Sequence, residues 1–233
     1  MNTSHKVGPL GGPYGTPFKR RFSNRLIELD YNCTQEQSMI NTFFRHHIEN
    51  KFEDNTGGQQ TYHIDYGDIS QMKEWMWLAN MFDGFLKDTN CMLDLNEFKH
   101  LLKFTFIRMW PRGVLPPHTA SFIRAMSSIN IPLRGRTRID LYEDNPDDPQ
   151  THGQSLACHH YTSPILLNVN QFHGVRNNVD EERMILKVHL GAVSMKKLIE
   201  GFQVPQAVQR SYEVKIFDHE MPWSNTRGSK QRI

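Results

Sequence analysis

The spacing of apolar residues predicts helices in the first part of the chain. Between about residues 35 and 50, apolar side chains recur at helical spacing, and Thr34 with Gln37 resembles the capping box that starts a helix. A second segment, from about 69 to 87, places its apolar residues on one face and follows Asp68, which can cap it. We expect these two helices to pack together as a support for the rest of the chain.

From about residue 102 the pattern changes to the two-residue alternation of β-strands. Leu102, Phe104 and Phe106 alternate with Lys103 and Thr105. Four later segments are also short, rich in strand-forming residues and bounded by turn residues: 123–133, 137–143, 164–172 and 183–190. Five such strands within about 90 residues predict a sandwich or barrel, so we expect a mainly β fold with flanking helices.

The two ends of the chain are predicted to lie outside this β core. Residues 1–18 carry many glycines and prolines and predict a flexible arm. After the core we expect a short helix near 192–200, a strand at SYEVKIF and a frayed polar tail. Residues 19–233 then form a single domain, with a helical support over about 35–90, a β core over about 100–191 and a C-terminal helix and strand over 192–220.

The amino-acid composition excludes some classes of function. The chain has 233 residues, of which 38% are hydrophobic, and its 27 basic and 25 acidic side chains leave a net charge of only +2. This balance argues against a dedicated nucleic-acid binder. Because the sequence holds neither an apolar run of membrane-spanning length nor a signal-peptide pattern at its start, we expect a cytoplasmic protein. Cys33, Cys91 and Cys158 are widely spaced, which indicates reduced thiols.

Two of the twelve histidines are placed where strands begin or end. His159 and His160 sit beside Cys158 in a segment that we read as turn-rich, and their spacing is a weak zinc signal. His118 instead follows the turn WPRGVLPP, and His173 closes the segment PILLNVNQF, 55 residues later. Strand ends far apart in sequence can meet in a barrel, so these two imidazoles are candidate metal ligands.

An arginine follows the second histidine by ten residues. Strand alternation places Arg183, Ile185, Lys187 and His189 on one face, opposite a continuous apolar face. If the apolar face packs on the helices, the other face points into a polar cavity, where a guanidinium needs an anionic partner such as the carboxylate of a small molecule. An ion pair with Glu181 or Glu182 is the alternative.

Three segments together are similar to a known enzyme family. KFTFIRMWPRGVLPPHTAS, INIPLRGRTRI and NQFHGVRNNVDEERMILKVHL, within residues 100–191, resemble the double-stranded β-helix (jelly-roll, cupin-like) core of Fe(II)/2-oxoglutarate oxygenases, nearest to the aspartyl/asparaginyl β-hydroxylase branch. The resemblance implies that His118 and His173 bind iron and that Arg183 holds the distal carboxylate of 2-oxoglutarate. It also implies O₂-dependent hydroxylation of an unactivated C–H of an amino-acid-like or peptide substrate, with release of succinate and CO₂.

The chain departs from the wider family at the acid ligand. Many members have an acid two residues after the first histidine, and this chain has Ala120 there. The aspartyl hydroxylase branch also lacks this acid, but halogenases of the same fold bind chloride in the vacated place. We expect water there, while Asp140 is a candidate carboxylate ligand from another strand. Arg124, Ser128 and Asn130 are candidates for further co-substrate contacts.

Three functions therefore remain open. The leading interpretation is an iron and 2-oxoglutarate dioxygenase acting on a small molecule or peptide, with neither nucleic acid nor membrane as a partner. The second is a halogenase on the same fold, and the third is a non-enzymatic, cupin-like binding module with structural histidines. Because free imidazole takes up a proton near pH 6.5, we expect metal binding to weaken below about that pH.

Overall fold

The computed structural model describes residues 26–34, 37–38, 53–55, 58–71, 73–94, 102–119, 127–144, 152–191 and 193–204. In these residues the chain forms eleven β-strands and three α-helices. The strands are β1 (Leu26–Glu28), β2 (Glu53–Asn55), β3 (Gln59–Asp65), β4 (Lys103–Met109), β5 (Val114–His118), β6 (Ser128–Arg134), β7 (Thr137–Asp144), β8 (His152–Tyr161), β9 (Ile165–Leu167), β10 (His173–Arg176) and β11 (Arg183–His189). The helices are α1 (Tyr66–Gln71), α2 (Met76–Asp88) and α3 (Met195–Gly201).

The strands form two antiparallel sheets, and the chain alternates between them. The larger sheet has the order β1-β9-β6-β11-β4-β3-β2, and the smaller has the order β5-β10-β7-β8. From β4 to β11 the chain passes repeatedly from one sheet to the other, which is the winding of a double-stranded β-helix. The predicted fold class, a mainly β jelly-roll core with flanking helices, is confirmed.

The outer face of the larger sheet packs on the helices. Met184, Leu186 and Val188 of the central strand β11 are fully buried in one apolar cluster with side chains of α2 and α3. Within this cluster, Phe82 of α2 meets Phe104 of β4 edge to face at 5.5 Å. Burial of each such side chain stabilises the fold by about 1.5–3 kcal/mol. The opposite face of β11 therefore points into the space between the two sheets, as its alternation predicts.

A second apolar cluster fills one part of the space between the sheets. It joins Ile139 and Leu141 of β7 to Ile165 and Leu167 of β9, so that it connects the smaller sheet to the larger one. Polar side chains occupy another part of the same space, and they form the candidate site.

Outside the β core, the sequence predicted the helices only in part. The helix expected over 69–87 is divided into α1, a 3-10 turn over Lys73–Trp75, and α2. The interval 35–90, expected to be a helical support, also contains the hairpin of β2 and β3. Near the C-terminus, α3 begins where Ser194 accepts a hydrogen bond from the backbone N–H of Lys197 at 3.2 Å. The predicted N-terminal arm and C-terminal strand, and most of the helix over 35–50, lie outside the described residues.

Two further findings bear on the composition. Cys33, Cys91 and Cys158 are not joined by disulfide bonds. Among the described residues, no helix combines the length and the apolar character that crossing a membrane requires.

Candidate active site

Two histidine rings meet between the sheets. His118 ends β5 and His173 begins β10, and the two residues are direct partners in the antiparallel register. Partners of this kind point to the same side of a sheet, and here the ring centroids are 4.4 Å apart. His173 is also the register partner of Leu141, a member of the apolar cluster between the sheets. The histidine pair therefore lies on the inner face of the smaller sheet.

Backbone carbonyls fix the orientation of both rings. Nδ1 of His118 donates to the carbonyl of Pro116, and Nδ1 of His173 donates to the carbonyl of Gln171, each at 2.8 Å. Because each Nδ1 carries the proton of a neutral ring, each Nε2 presents a lone pair. Two neutral imidazoles held by backbone acceptors are the arrangement of metal-ligating histidines.

Burial keeps both rings neutral. It lowers the pKa of His173 well below its ordinary value, and the charges of His118 and Lys187 act in the same direction. Burial also lowers the pKa of His118 to about 4, although its hydrogen bond to Pro116 opposes the effect. Both imidazoles are thus in the form that binds a metal at neutral pH and well below it.

This burial changes the expected effect of pH on metal binding. Two free imidazoles would lose about a hundredfold in affinity at one pH unit below 6.5. Because the pKa of His118 is about 4 and that of His173 is also lowered, we expect Co(II) affinity to change by less than about threefold between pH 7 and pH 5.5. Calorimetric titration with Co(II) at the two pH values measures this, and a hundredfold loss would contradict it.

The lowered pKa values of His118 and His173 also determine how the stability of the protein changes with pH. Below pH 6.5 the two histidines take up protons in the unfolded chain before they do so in the folded one. The free energy of unfolding of the metal-free protein should therefore fall as the pH drops from 6.5 towards 4. Denaturant titrations at the same two pH values give the control for the binding measurement.

Arg183 faces the same space from the larger sheet. It begins β11, is only 2% exposed, and donates from Nη2 to the hydroxyl of Tyr161 on β8 at 3.0 Å. Its Nε is buried and has no hydrogen-bond partner among the described residues. Among the described residues no carboxylate forms an ion pair with it. Glu182, which was one of its expected alternative partners, pairs instead with Arg108 and Arg134.

Polar residues of the neighbouring strands lie beside Arg183 on the inner face. Lys187 has Asn130 of β6 and Thr105 of β4 as its register partners, and Ser128 is the partner of His189. The hydroxyl of Ser128 donates to Oδ1 of Asn130 at 3.1 Å. The structure therefore places the candidates Ser128 and Asn130 on the same inner face of the larger sheet as Arg183. Arg124 and Ala120 lie outside the described residues.

Asp140 belongs to the other face of the smaller sheet. It is the register partner of Gly174, one residue beyond His173, so its side chain points away from the histidine pair. It forms buried ion pairs with Arg138 at 2.8 Å and with Arg176 at 3.4 Å. Asp140 is therefore not placed to be a third ligand. Over the described residues there is no cluster of three or more His, Cys, Asp or Glu side chains fit to hold a metal.

The histidines beside Cys158 have a structural setting. His159 and His160 lie in β8, a ten-residue strand, and not in the turn-rich segment expected from the sequence. Nε2 of His159 contacts Oε2 of Glu28 on β1 at 2.9 Å. Because β1 is at the edge of the larger sheet and β8 at the edge of the smaller one, this contact ties the two sheets together.

Sequence reasoning missed the roles of Tyr161 and Lys187. No sequence signal pairs Tyr161 with Arg183, because β8 was not predicted as a strand. The alternation of β11 did place Lys187 on the face of Arg183, and its burial is the new observation: burial, with the charge of Arg183, lowers its pKa to about 8. The space between the sheets thus holds two buried cations, Arg183 and Lys187, in addition to the imidazoles of His118 and His173.

Comparison with known proteins gives similarity of fold. No family model matches the chain, and no curated protein matches it. Among solved structures, a prolyl-4-hydroxylase of Pseudomonas putida is 15% identical over 72% of this chain and 92% of its own, with a TM-score of 0.45. An oxalate decarboxylase of Bacillus subtilis is 11% identical over 63% of this chain, with a TM-score of 0.37.

Vicilin of hazelnut, Corylus avellana, is 10% identical over 60% of this chain, also with a TM-score of 0.37. The chain spans 31% of the vicilin chain and 29% of the oxalate decarboxylase chain. These similarities concern the fold, and the function has to be argued from the side chains of the site.

Proposed function

We propose that the protein is a non-haem Fe(II)/2-oxoglutarate-dependent oxygenase that hydroxylates an unactivated C–H bond. The observation that carries the proposal is the facing pair His118 and His173, with both Nδ1 atoms bonded to backbone carbonyls and both Nε2 atoms left to coordinate. Imidazole nitrogen is a suitable ligand for Fe(II), and a site with two protein ligands leaves several coordination positions for water, co-substrate and oxygen.

The two histidines would hold the metal as neutral ligands. Iron bound there would supply the oxidative chemistry, with 2-oxoglutarate decarboxylated to succinate and CO₂. The carbonyls of Pro116 and Gln171 keep the tautomer and the ring orientation fixed, so little reorganisation is needed when a metal binds.

Arg183 would hold the distal carboxylate of the co-substrate. Its buried guanidinium has an unpartnered Nε, and its contact with Tyr161 leaves donors for a bidentate pair with a carboxylate. The apolar cluster of Leu141, Ile165 and Leu167 borders the same inter-sheet space and excludes water from one side of it. A dry surrounding strengthens the pair between guanidinium and carboxylate.

The non-enzymatic alternative predicts different hydrogen bonding of the two histidines. Structural histidines in a binding module would have both ring nitrogens satisfied by protein groups, since buried polar atoms are normally hydrogen-bonded. In the described residues neither His118 nor His173 has a hydrogen bond at Nε2. The free nitrogens favour a coordinating role.

The test is metal-dependent turnover of the co-substrate. The purified protein, reconstituted with Fe(II) in air, is expected to convert 2-oxoglutarate to succinate slowly without a primary substrate, whereas the protein loaded with Zn(II) is not. Succinate is measured by mass spectrometry, and the heat-denatured protein with Fe(II) is the blank. Two negative results together would overturn the proposal: no succinate is formed, and calorimetry detects no 2-oxoglutarate binding to the anaerobic Fe(II) protein.

A further inference from the structure

Lys187 is a second buried cation on the inner face of the larger sheet, and the proposed chemistry does not use it. It lies four residues after Arg183 on β11, on the same inner face, and it is 8% exposed. No hydrogen bond or ion pair joins its ammonium group to any described residue. A buried charge in this state is unfavourable unless a ligand or another group pairs with it.

The neighbours of Lys187 supply polar groups of a matching kind. Asn130 and Thr105 flank it on the two adjacent strands. Oδ1 of Asn130 accepts from Ser128, which leaves the amide nitrogen of Asn130 as a donor on the cavity face. The hydroxyl of Thr105 is occupied by Nδ1 of His63 at 2.9 Å. Lys187 and Asn130, which are neighbours across β11 and β6, therefore present an ammonium group and an amide donor with no carboxylate between them.

The separation of the two cations indicates separate anion positions. Four residues along a strand place the Cα atoms of Arg183 and Lys187 about 13 Å apart. The positive charge of Lys187 also contributes to the lowered pKa of both His118 and His173. Arg183 donates to Tyr161, whereas the ammonium group of Lys187 has no such side-chain partner among the described residues.

We infer that Lys187 and Asn130 form a second anion-binding position, which takes a carboxylate other than the one held by Arg183. This inference rests on the proposed function, because it assigns Arg183 to the distal carboxylate of 2-oxoglutarate. The carboxylate at Lys187 then has two sources, the carboxylate next to the keto group of 2-oxoglutarate or a carboxylate of the primary substrate. In either case the ligand chemistry is the same, an oxyanion paired with a buried ammonium.

The experiment compares Lys187→Met with Lys196→Met. Lys196 is an exposed lysine of α3 that pairs with Glu200 on the surface, so its variant is a matched control for the loss of one charge. Anaerobic Fe(II) protein is titrated calorimetrically with 2-oxoglutarate. Propionate, with propionamide as its neutral counterpart, is then titrated into the 2-oxoglutarate complex and into the metal-free protein.

Two results support the inference and identify the source. A loss of tenfold or more in 2-oxoglutarate affinity in Lys187→Met alone would assign Lys187 to the co-substrate. Unchanged 2-oxoglutarate affinity, with propionate binding lost in Lys187→Met and propionamide never bound, would assign it to the primary substrate. Lys187→Arg, which keeps the charge, should retain part of the binding in either case.

A further readout separates a binding role from a structural one. Replacing an unpaired buried ammonium by an apolar side chain of similar length should leave the melting temperature of the ligand-free protein unchanged or higher. 2-Oxoglutarate and propionate binding in Lys187→Met equal to that of the control would overturn the inference. A lower melting temperature in both Lys187→Met and Lys187→Gln would then assign Lys187 a structural role. Wild-type protein that binds propionate but neither Fe(II) nor 2-oxoglutarate would count against the proposed function and not against the anion position.

Discussion

The double variant His118→Ala, His173→Ala is expected to lose Fe(II) affinity by more than about a thousandfold while the fold persists. The two rings are tilted by 50° with 4.4 Å between their centroids, and among the described residues no hydrogen bond is made to either Nε2. The variant leaves the carbonyls of Pro116 and Gln171 without their donors, which costs about 1 kcal/mol each. Anaerobic equilibrium dialysis with Fe(II) measures the affinity, and circular dichroism follows the fold.

His160→Ala is the matched control for this double variant. His160 lies on β8 as the register partner of Arg138, on the outer face of the smaller sheet, and its loss should leave Fe(II) affinity unchanged. Fe(II) affinity retained by the double variant would show that the ligands lie elsewhere. Global unfolding of the double variant would favour structural histidines and the binding-module alternative.

Arg183→Met is expected to abolish 2-oxoglutarate turnover and to lower co-substrate affinity by ten- to a hundredfold or more. The reason is the loss of a charge-assisted bidentate pair, for which about 1.5–3 kcal/mol is typical. Arg183 is buried without a carboxylate partner among the described residues, so its removal relieves an unpaired charge and also breaks the hydrogen bond to Tyr161. These two effects oppose each other, and the free energy of unfolding should change little. Arg183→Lys should recover only part of the affinity, since lysine lacks the planar fork.

The control for Arg183 is Arg136→Met, at an exposed position between β6 and β7. Succinate release and 2-oxoglutarate affinity are measured for both variants under the same conditions. Unchanged succinate release by Arg183→Met would remove the arginine from the proposed site. A large drop in its free energy of unfolding would instead indicate that Arg183 has an ion-pair partner in the folded protein.

The β core was predictable where side-chain alternation is complete. One face of β11 is continuously apolar, and this alone predicted which face packs on the helices and which carries Arg183. β8 escaped prediction because its residues include glycine, glutamine, serine and three histidines, which carry little strand signal. The hairpin of β2 and β3 was missed for a similar reason, since β2 is the polar segment Glu53–Asn55. In both cases pairing with a neighbouring strand decides the structure.

The site was predictable in its members and not in its geometry. The turn before His118 placed this residue at a strand end, as observed. His173 was expected to close the preceding strand and instead begins β10, and only the register of β5 with β10 brings the two rings together. The position of Asp140 depends on the same kind of information. Its register with Gly174, next to His173, turns it to the outer face, and a single sequence does not contain that alignment.

The pairing of β5 with β10 would make metal binding at the proposed site a reporter of complete folding. Its two histidines are 55 residues apart in the chain, so the unfolded chain does not hold them together and closing the loop between them has an entropic cost. A metal that binds only the folded state raises the melting temperature. At a free metal concentration one hundred times its dissociation constant, it adds about 2.7 kcal/mol to the free energy of unfolding. Non-local strand pairs also form slowly, so the capacity to bind metal should return late during refolding, after the helical signal.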